Sequence, residues 1–482
     1  MSLPDDGERG VGLPVYEIFP DRFARAAKAR RRGPWRDWDE RPESPPRGRD
    51  RFGGDLRGIC EHLDHVQSLG AGALYLTPIF ASSSNHGYDT VSYEKIDPEL
   101  GGDRAFDALA RAARDRSLGL VLDGVFNHTG CEHPWFLAAK SSRRARQRSA
   151  FHFDDGGYRA WRGHSSLPEW NHSDESVRRL LYEGPASALA RWTRRGATGW
   201  RLDCASDLGP QICALIRREA REAGAVDGVT GEVMSFARDW LSDGALDGVM
   251  NYVFRGAVIA LVRGEIPANQ AAWVLDKVAA EYPPAGLLRS WTVVGSHDTP
   301  RLSTLLGEDP GRLRLAVTLQ YAYPGTPLVY YGDEIGLTGG DDPDNRRTMP
   351  WDADRWNAPL LDLYRKLGRL RSDHAALRVG GYLPLAQPGE PEIVAFARTV
   401  PEPEGLVICV ANPNARRMAV KILLPLSVPD GLPLRDLLAD RRTACREGFI
   451  RLELDSWDVA FLIPEPDAIT GYDFFEGLRK RP

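Results

Sequence analysis

The 482-residue sequence has few cysteines, and their arrangement points neither to disulfides nor to a metal site. The six cysteines form no C-x-x-C pair and show no metal-ligand spacing, which predicts reduced thiols in a reducing compartment. The sequence also lacks any run near the ~20 apolar residues of a membrane span, and its amino terminus has no apolar signal core. We therefore expect a cytoplasmic protein with no membrane partner.

An excess of positive charge is also missing, since the formal net charge is -5. Nucleic-acid binding requires a basic face on a basic domain, so the charge gives no support for a nucleic-acid partner. Two basic runs, at residues 25–32 and 143–148, are interpreted as solvated loops or helix ends. At a prior of ~150 residues per domain the length predicts about three domains, unless a barrel accounts for most of the chain.

Short apolar runs alternate with helical patterns along most of the chain. The predicted strands lie at residues 15–19, 73–76, 118–123, 199–204, 228–233, 248–252, 291–295 and 328–331. Eight β-then-α units over ~360 residues predict an α/β protein built on a (β/α)8 TIM barrel. A doubly wound open sheet is the rival, but it would need a glycine-rich turn after the first strand, where the chain reads Phe19-Pro20-Asp21-Arg22.

The predicted barrel is accompanied by two further domains. Domain A, the barrel, takes residues 1–127 and 175–377, and an aromatic- and glycine-rich insertion after the third strand, residues 128–174, forms domain B. From about Val379 short alternating runs are separated by turn residues. This pattern predicts a carboxy-terminal antiparallel β-sandwich, domain C, over residues 378–482.

Three carboxylates follow different strands of the predicted barrel: Asp203 the fourth, Glu232 the fifth and Asp298 the seventh. The carboxyl ends of barrel strands carry the active site, so these groups should converge. Converging carboxylates repel one another, and such a cluster either holds a cation or divides acid and base work. Arg201 lies two residues before Asp203 on the same strand face and already supplies a positive charge.

Glycoside hydrolysis divides its steps among carboxylates in a way that fits this set. Asp203, kept ionised by Arg201, would attack the anomeric carbon, and Glu232, in less polar surroundings, would be the general acid and base. Asp298 would stabilise the oxocarbenium-like transition state. We predict retention of configuration, with the Asp203 and Glu232 carboxyl groups about 5 to 5.5 Å apart. Cys204 is expected to point to the other strand face, as a packing residue.

These residues also carry a resemblance to a known family. Four segments resemble the conserved regions of the α-amylase family (glycoside hydrolase family 13), and a fifth resembles a short motif of its inserted domain; they are Asp123–His128, Gly199–Asp203, Gly231–Val233, Ser296–Asp298 and Leu167–Asn171. The resemblance extends from about Val15 to the end and implies the same three catalytic roles. Within the family, residues 250–252, 325–334 and 342–351 are similar to the cyclomaltodextrinase, neopullulanase and maltogenic amylase branch.

The resemblance further implies a set of substrate-binding residues: Tyr88, Asp89, Asp123, Asn127, His128, Arg201 and His297. An aromatic ring stacks on the apolar face of a glucose unit, while carboxylate and imidazole groups hydrogen-bond its hydroxyls. The family commonly places a structural calcium ion beneath domain B, where Asn127 would be a ligand. No other cofactor is implied.

We therefore expect a retaining hydrolase of α-1,4-linked glucans such as maltodextrins. A 4-α-glucanotransferase or a trehalose-forming isomerase would use the same covalent intermediate, and the choice depends on how the acceptor subsites exclude water. A non-catalytic glycan-binding homologue is a third alternative, which predicts the loss of a catalytic carboxylate, whereas all three are present. Chain-length preference, internal or terminal cleavage, activity on α-1,6 bonds and the choice between monomer and homodimer stay open.

Overall fold

The computed structural model describes residues 10–27, 35–42, 48–385, 392–402, 405–468, 470 and 472–476. The first nine residues of predicted domain A, the end of the first basic run and the last six residues of predicted domain C therefore lie outside the described residues. No described helix combines the length and apolar character that crossing a membrane requires.

Eight parallel strands close into a barrel, which confirms the predicted TIM architecture. The strands up to residue 330 are β1 (Val15–Ile18), β2 (Ala73–Leu76), β3 (Phe80–Ser82), β4 (Thr90–Ile96), β5 (Gly119–Gly124), β6 (Phe153–Asp154), β7 (Gly157–Tyr158), β8 (Gly199–Leu202), β9 (Gly228–Gly231), β10 (Gly248–Asn251), β11 (Trp291–Val293) and β12 (Thr326–Tyr330). The barrel order is β1, β2, β5, β8, β9, β10, β11, β12 and back to β1. Each barrel strand overlaps the run that predicted it.

Helices surround the barrel and follow its strands. They are α1 (Pro20–Phe23), α2 (Leu56–Glu61), α3 (Leu63–Ser68), α4 (Gly102–Asp115), α5 (Pro134–Ser141), α6 (Glu175–Leu181), α7 (Ala188–Arg194), α8 (Ala205–Leu208), α9 (Pro210–Ala223), α10 (Arg238–Ser242), α11 (Tyr252–Arg263), α12 (Ala268–Glu281), α13 (Pro284–Arg289), α14 (Leu302–Leu305), α15 (Pro310–Ala322), α16 (Ala358–Asp373) and α17 (Ala375–Val379). Short 3₁₀ helices lie at Pro98–Leu100, Arg146–Ala150, Trp161–Gly163, Asp333–Ile335, Asp344–Arg346 and Ala353–Arg355. In α9 the buried positions Cys213, Ile216 and Ala220 recur at helical spacing and pack on the outside of the barrel.

The predicted insertion lies between β5 and β8 and adds a small aromatic unit above the barrel. It contains α5 and the β6–β7 hairpin. Phe151 stacks on Trp170 with ring centroids 4.6 Å apart, and the two residues also form a β-bridge. A second bridge joins His128 to Glu169, so the two ends of the insertion are held together next to the carboxyl end of β5.

The carboxy-terminal part is antiparallel, as predicted. Its strands are β13 (Gly381–Pro384), β14 (Val394–Thr399), β15 (Leu406–Ala411), β16 (Met418–Leu423), β17 (Pro433–Asp436), β18 (Arg442–Ala444), β19 (Phe449–Leu454) and β20 (Val459–Pro464). Six of them form one sheet in the order β13, β14, β15, β20, β17, β18, and β16 pairs with β19. A separate apolar cluster joins the two sheets, with Ile408 and Leu462 from the larger sheet and Ile422 and Ile450 from the smaller.

A buried arginine joins chain segments near the amino-terminal end of the barrel. Arg371 of α16 is fully buried and donates to the carbonyls of Gly12 and Tyr321, both at 2.6 Å, and of Gly325. Gly12 precedes β1 and Gly325 precedes β12, so one guanidinium ties together the approaches to neighbouring strands. Its acceptors are neutral backbone carbonyls, and burial holds the pKa of Arg371 well below its usual range.

Candidate active site

Two of the predicted catalytic carboxylates directly follow adjacent strands and lie at the same level of the barrel. Leu202 of β8 pairs with Gly231 of β9, and Asp203 and Glu232 each follow one residue later. The backbone N–H of Glu232 donates to the Leu202 carbonyl at 3.0 Å, which extends the ladder beyond the strand ends. Both carboxylates therefore face one cavity, and Asp298 enters it from the loop after β11.

This cavity has a volume of about 430 Å³ and lies at the carboxyl end of the barrel. Five residues predicted from the sequence line it: Tyr88, His128, Asp203, Glu232 and Asp298. Other lining residues had no predicted role, among them His86, Trp161, Met234, Asp342 and Arg346. The structure thus brings the three catalytic candidates together and adds side chains that the motifs alone did not assign.

Arg201 lies at the centre of the carboxylate cluster. Its Nη1 atom lies 3.1 Å from both Asp123 oxygens and 2.9 Å from Asp203 Oδ1, and its Nη2 atom lies 3.0 Å from Glu232 Oε2. Burial lowers the pKa of Arg201, but the charges around it, Asp123 and Glu232 among them, more than reverse that effect and raise it. One permanent cation is therefore shared by three carboxylates.

Three residues predicted to bind substrate lie beneath the cavity. Arg201 and His297 are both fully buried, as is nearly all of Asp123. Arg201 and Asp123 belong to paired positions of β8 and β5, inside the barrel, where side chains of one level fill the interior. Each of the three contacts a side chain that lines the cavity. Direct sugar contact by these three residues stays a prediction.

Asp203 does not match the prediction that arginine alone fixes its ionisation. Burial raises the pKa of Asp203 most; Arg201 lowers it, and the charges of Glu232 and Asp123 raise it, giving a value of about 7. The prediction treated the Arg201–Asp203 contact as an isolated pair, whereas Arg201 also serves two other carboxylates. Asp203 is therefore partly protonated near pH 7, and only its ionised form can attack a sugar carbon.

The surroundings of Glu232 also differ from the prediction. A less polar environment was expected because Val233 and Met234 follow it; Val233 is buried, and Met234, which lines the same cavity, is 56% exposed. Glu232 Oε2 instead accepts a hydrogen bond from the Cys204 backbone N–H at 2.9 Å and lies 3.0 Å from Arg201 Nη2. Neighbours in sequence alternate between faces and do not predict what a side chain contacts.

Asp298 is held by a chain of contacts that begins in the first strand. Glu17 of β1, fully buried, pairs with His297 Nδ1, and His297 Nε2 lies 3.2 Å from Asp298 Oδ1. Burial lowers the pKa of His297, but Asp298 and Glu17 outweigh it and raise the pKa overall. Burial raises the pKa of Asp298, but His297, Arg346 and Arg201 outweigh it and lower it, so Asp298 is an anion facing the cleft.

Glu17 was not predicted to belong to the site. Its signal is a charged residue in the middle of an otherwise apolar and fully buried strand, Val15–Ile18. Buried carboxylates are rare unless paired, so the pattern indicated a buried partner without naming it. The partner, His297, lies 280 positions away in the sequence and becomes a neighbour only when the barrel closes.

Tyr88 lines the cavity as predicted, and the preceding glycine determines its position. Gly87 has φ of +76°, and a Cβ at this residue would lie 2.7 Å from the Pro78 carbonyl oxygen, so the turn requires glycine. The Tyr88 hydroxyl donates to Asp123 Oδ2 at 3.0 Å and lies 2.6 Å from His297 Nε2. The phenol ring is thereby fixed at the edge of the carboxylate cluster.

Asp89 and Asn127, also predicted to bind substrate, do not line this cavity. Asp89 accepts from the Ser84 backbone N–H at 3.2 Å and from the Ser84 hydroxyl, and so holds the loop that leads to Tyr88. The amide of Asn127 faces His128 Nδ1 at 3.3 Å. Each therefore supports a lining residue, and direct contact with substrate stays a prediction for both. In both cases the supporting residue is the immediate neighbour in sequence of the residue that lines the cavity.

The inserted segment contributes an aromatic residue that the sequence analysis missed. The Trp161 ring stacks near His128, with centroids 5.5 Å apart, and its indole N–H donates to Asp207 Oδ2 at 3.0 Å. Arg346 crosses the cleft from the loop after β12, with Nη2 3.5 Å from Asp298 Oδ1 and Nε donating to the His297 carbonyl at 3.0 Å. Arg346 lay within a quoted motif, whereas Trp161 had no signal beyond the aromatic content of the insertion.

Cys204 points into the cavity, contrary to the prediction. Strand β8 ends at Leu202, and Cys204 has left-handed backbone angles of φ 48° and ψ 42°. The alternation of faces applies only within a strand, so the rule did not extend to this residue. Its thiol is partly buried and lies next to Asp203, and burial together with the Asp203 and Glu232 charges raises the pKa of the thiol.

Three oxygen-bearing side chains of the insertion region contact other protein groups. Glu169 forms an ion pair with Arg159, and Asp154 accepts from the Gly156 backbone N–H at 2.8 Å. The Asn127 amide faces the His128 imidazole. Calcium takes six to eight oxygen ligands, and a calcium site at Asn127 stays a prediction.

The fold and the site together define a class of enzyme. A (β/α)8 barrel with three carboxylates that converge on one cavity at its strand ends has the arrangement of a glycoside hydrolase. The chain belongs to the α-amylase family, since the model of the α-amylase catalytic domain matches residues 17–362.

Similar proteins agree with this assignment. Neopullulanase 2 of Thermoactinomyces vulgaris is 33% identical over 91% of this chain and 75% of its own length. A cyclomaltodextrinase from Bacillus sp is 35% identical over 80% of this chain and 70% of its own. Among solved structures, the cyclic α-maltosyl-(1→6)-maltose hydrolase from Arthrobacter globiformis superposes with a TM-score of 0.82 at 30% identity, over 94% of this chain and 98% of its own. The family resemblance seen in the sequence is thereby confirmed.

Proposed function

We propose that the protein is a retaining hydrolase that cleaves α-1,4-glucosidic bonds of maltodextrins through a covalent glucosyl-Asp203 intermediate. The observation that carries the proposal is the shared arginine, which lies 2.9 Å from Asp203 Oδ1 and 3.0 Å from Glu232 Oε2. Two carboxyls on the terminal nitrogens of one guanidinium favour the ~5–5.5 Å spacing of retaining enzymes over the ~6.5–9.5 Å of inverting ones.

The two carboxyls then exchange roles between two half-reactions. Asp203 attacks the anomeric carbon while Glu232 gives its proton to the departing glycosidic oxygen, which leaves a glucosyl ester and a free hydroxyl end. Glu232, now ionised, takes a proton from a water molecule that attacks the same carbon and releases Asp203. Asp298 lies on the cleft as an anion and stabilises the oxocarbenium-like charge in both transition states.

An α-glucan substrate suits the walls of the cavity. Tyr88 and Trp161 offer aromatic faces, and His128, Asp298 and Arg346 offer hydrogen-bonding groups around the same space. Such walls bind the apolar faces and the hydroxyls of glucose units. The names of the similar proteins, neopullulanase and cyclomaltodextrinase, describe enzymes that act on α-glucans.

The proposed setting is the cytoplasm. All six cysteines are free, and Cys213 of α9, Cys409 and Cys445 are buried. Free thiols persist in a reducing compartment, which supports the prediction made from cysteine spacing.

The test is incubation of the purified protein with maltotriose in deuterated buffer while the anomeric proton signals are followed by NMR. First-formed α-anomeric glucose and maltose support the proposal, provided that both disappear in Asp203→Asn. The matched control is Asp115→Asn, because Asp115 is an exposed aspartate at the end of α4 and is not among the residues that line the cavity. The control should still release α-anomers.

Other outcomes separate the rival activities. β-Anomers released first would contradict the retaining mechanism. Longer oligosaccharides without net hydrolysis would indicate a glucanotransferase, and a trehalose signal would indicate an isomerase. The same assay on cyclic α-maltosyl-(1→6)-maltose is included because the Arthrobacter hydrolase shares nearly its whole length with this chain. Faster release of maltose from that substrate than of products from maltotriose would move the preferred bond to α-1,6, since maltose forms only when the α-1,6 bonds are cut.

A further inference from the structure

Three side chains with different donor atoms meet at one edge of the active-site cavity. One ligand atom each of His128, Asp203 and Cys204 lies within 4.8 Å of the others. His128 Nε2 lies 3.9 Å from Asp203 Oδ2. Asp203 and Cys204 follow β8, and His128 follows β5, so two neighbouring strand ends hold the group together.

His128 supplies the second, independent observation. The residue is only 1% exposed, and its Nε2 atom has no hydrogen-bond partner among the described residues. Its other ring nitrogen, Nδ1, faces the Asn127 amide at 3.3 Å, which orients the ring so that Nε2 points at Asp203. A buried polar atom without a partner costs free energy unless a ligand satisfies it.

We propose that His128 Nε2, the Asp203 carboxylate and the Cys204 thiolate bind a borderline divalent cation such as Zn²⁺, which inhibits the enzyme. Nitrogen, sulfur and carboxylate oxygen are the ligands that zinc prefers, and three protein ligands leave a fourth position for water. The same set excludes calcium and magnesium, which take oxygen ligands.

The distances are close to those that zinc requires. Given Zn–N and Zn–S bonds of ~2.0 and ~2.3 Å, two ligands of one tetrahedral ion lie roughly 3.3–3.5 Å apart. The observed 3.9 Å between His128 and Asp203 needs only a small shift of either side chain. Cys204 already faces the group because its left-handed backbone turns the thiol into the cavity. Coordination displaces the thiol proton to solvent, as for other cysteine ligands of zinc.

Inhibition follows from where the ion lies, and this part rests on the proposed function. A cation on the Asp203 carboxylate occupies the nucleophile and the place of the reacting sugar. Zinc should therefore compete with maltotriose, raising the apparent KM and leaving kcat unchanged. Binding itself depends only on the three side chains and can be measured in the absence of substrate.

The primary experiment is equilibrium dialysis of the full chain against buffered Zn²⁺. The wild type and Cys60→Ala should each bind one equivalent, since Cys60 is also a partly buried thiol but lies on α2, away from the cavity. Cys204→Ala should bind zinc at least about tenfold more weakly. Removing a residue that only hydrogen-bonds to a metal ligand already costs about 10–100-fold in metal affinity, and Cys204 would be a ligand itself. His128→Gln is a second variant that removes a different donor, and thermal unfolding checks that each variant is folded.

Cobalt gives a spectroscopic readout of the same site. Co²⁺ in place of Zn²⁺ should produce a near-ultraviolet thiolate-to-metal absorption in the wild type and in Cys60→Ala, and the band should be missing from folded Cys204→Ala. Equal zinc affinity in wild type and Cys204→Ala, or no stoichiometric binding by the wild type, would overturn the site. Zinc bound through Cys204 to a protein that hydrolyses no glucan would support the site and count only against the proposed function.

Discussion

Two fully buried arginines, Arg201 and Arg371, show how differently one residue type is used at the two ends of this barrel. Arg201, at the carboxyl end, is surrounded by three carboxylates and lies just beneath the cavity. Arg371, at the amino-terminal end, donates to backbone carbonyls of three chain segments. The first arrangement crowds negative charge, whereas the second satisfies neutral acceptors.

The difference indicates separate roles for the carboxyl and the amino-terminal ends of the barrel. Crowded carboxylates repel and are costly to hold, so such a cluster is found where perturbed protonation serves chemistry. Carbonyls bound by a guanidinium fork are satisfied buried acceptors, which stabilise the fold. Four experiments test this division, beginning with the one for which we expect the largest change.

The largest effect should come from Glu232→Gln. Removing the proton donor should lower kcat/KM on maltotriose by about 10²–10⁴-fold, the usual contribution of general acid catalysis. In the first half-reaction the variant should lose far less activity on a glucosyl fluoride, because the fluoride leaving group needs no proton. The measurement is the ratio of the activity on maltotriose to the activity on the glucosyl fluoride, compared between wild type and variant. An equal loss on both substrates would show that Glu232 is not the acid.

Next in size is the comparison of Arg201→Lys with Arg371→Lys. A lysine ammonium is a single point charge and cannot contact Asp123, Asp203 and Glu232 together, so kcat/KM should fall by about 10²–10³-fold. Arg371→Lys should instead lower the free energy of unfolding by about 2–3 kcal/mol, because carbonyls lose their donors. Its kcat/KM per folded molecule should stay within about twofold of the wild type. A catalytic defect in folded Arg371→Lys would remove the contrast between the two ends.

The pH dependence of kcat/KM should be smaller, about tenfold per pH unit. Asp203 must be ionised to attack the sugar, and the pKa of Asp203 in the folded protein is about 7. Activity should therefore fall as pH drops below about 7 and reach roughly a tenth of its plateau near pH 6. The charge of Glu232 raises the pKa of Asp203, so Glu232→Gln, assayed with a glucosyl fluoride, should move this acidic limb to lower pH. A limb that stays near pH 7 in the variant would assign it to another group.

The last prediction concerns stability rather than activity and is made for Asp203→Asn. The pKa of Asp203 is raised in the folded protein, so its protonated form is preferred there, and the wild type loses stability as pH rises from about 4 to about 7. Asparagine carries no charge at any pH. The variant should therefore gain on the order of 2–4 kcal/mol relative to wild type above pH 7 and little near pH 4. Thermal unfolding at matched scan rates measures the difference. A gain independent of pH would not come from this carboxylate.

Most of the fold could be predicted from the sequence. The eight barrel strands are short apolar runs separated by helical periodicity, and each was placed within a few residues because burial on both faces leaves such a run. The alternating runs after Val379 indicated antiparallel strands for a different reason, since one face of such a strand packs on the core and the other faces solvent. The catalytic candidates Asp203, Glu232 and Asp298 followed from their positions just after predicted strands, and the structure does bring them to one cavity.

The protonation and the orientation of these groups were not predictable in the same way. Arg201 was assigned to Asp203 alone, because nothing in a linear sequence shows that Asp123 and Glu232 contact the same guanidinium. Cys204 was placed on the wrong face, because the end of a strand is not visible at single-residue precision. Glu17 had a signal but no identifiable partner.

The sequence by itself therefore determined the barrel, the carboxy-terminal sheets and the identity of the convergent carboxylates. These features depend on local hydrophobic patterns and on the rule that parallel strands end at one edge. Only the tertiary structure decided which groups share Arg201, which side chains lie under the cavity rather than in it, and that Trp161 and Arg346 complete its walls. Those properties arise from distances between residues far apart in the chain, and both Coulomb energy and desolvation depend on such distances and on burial.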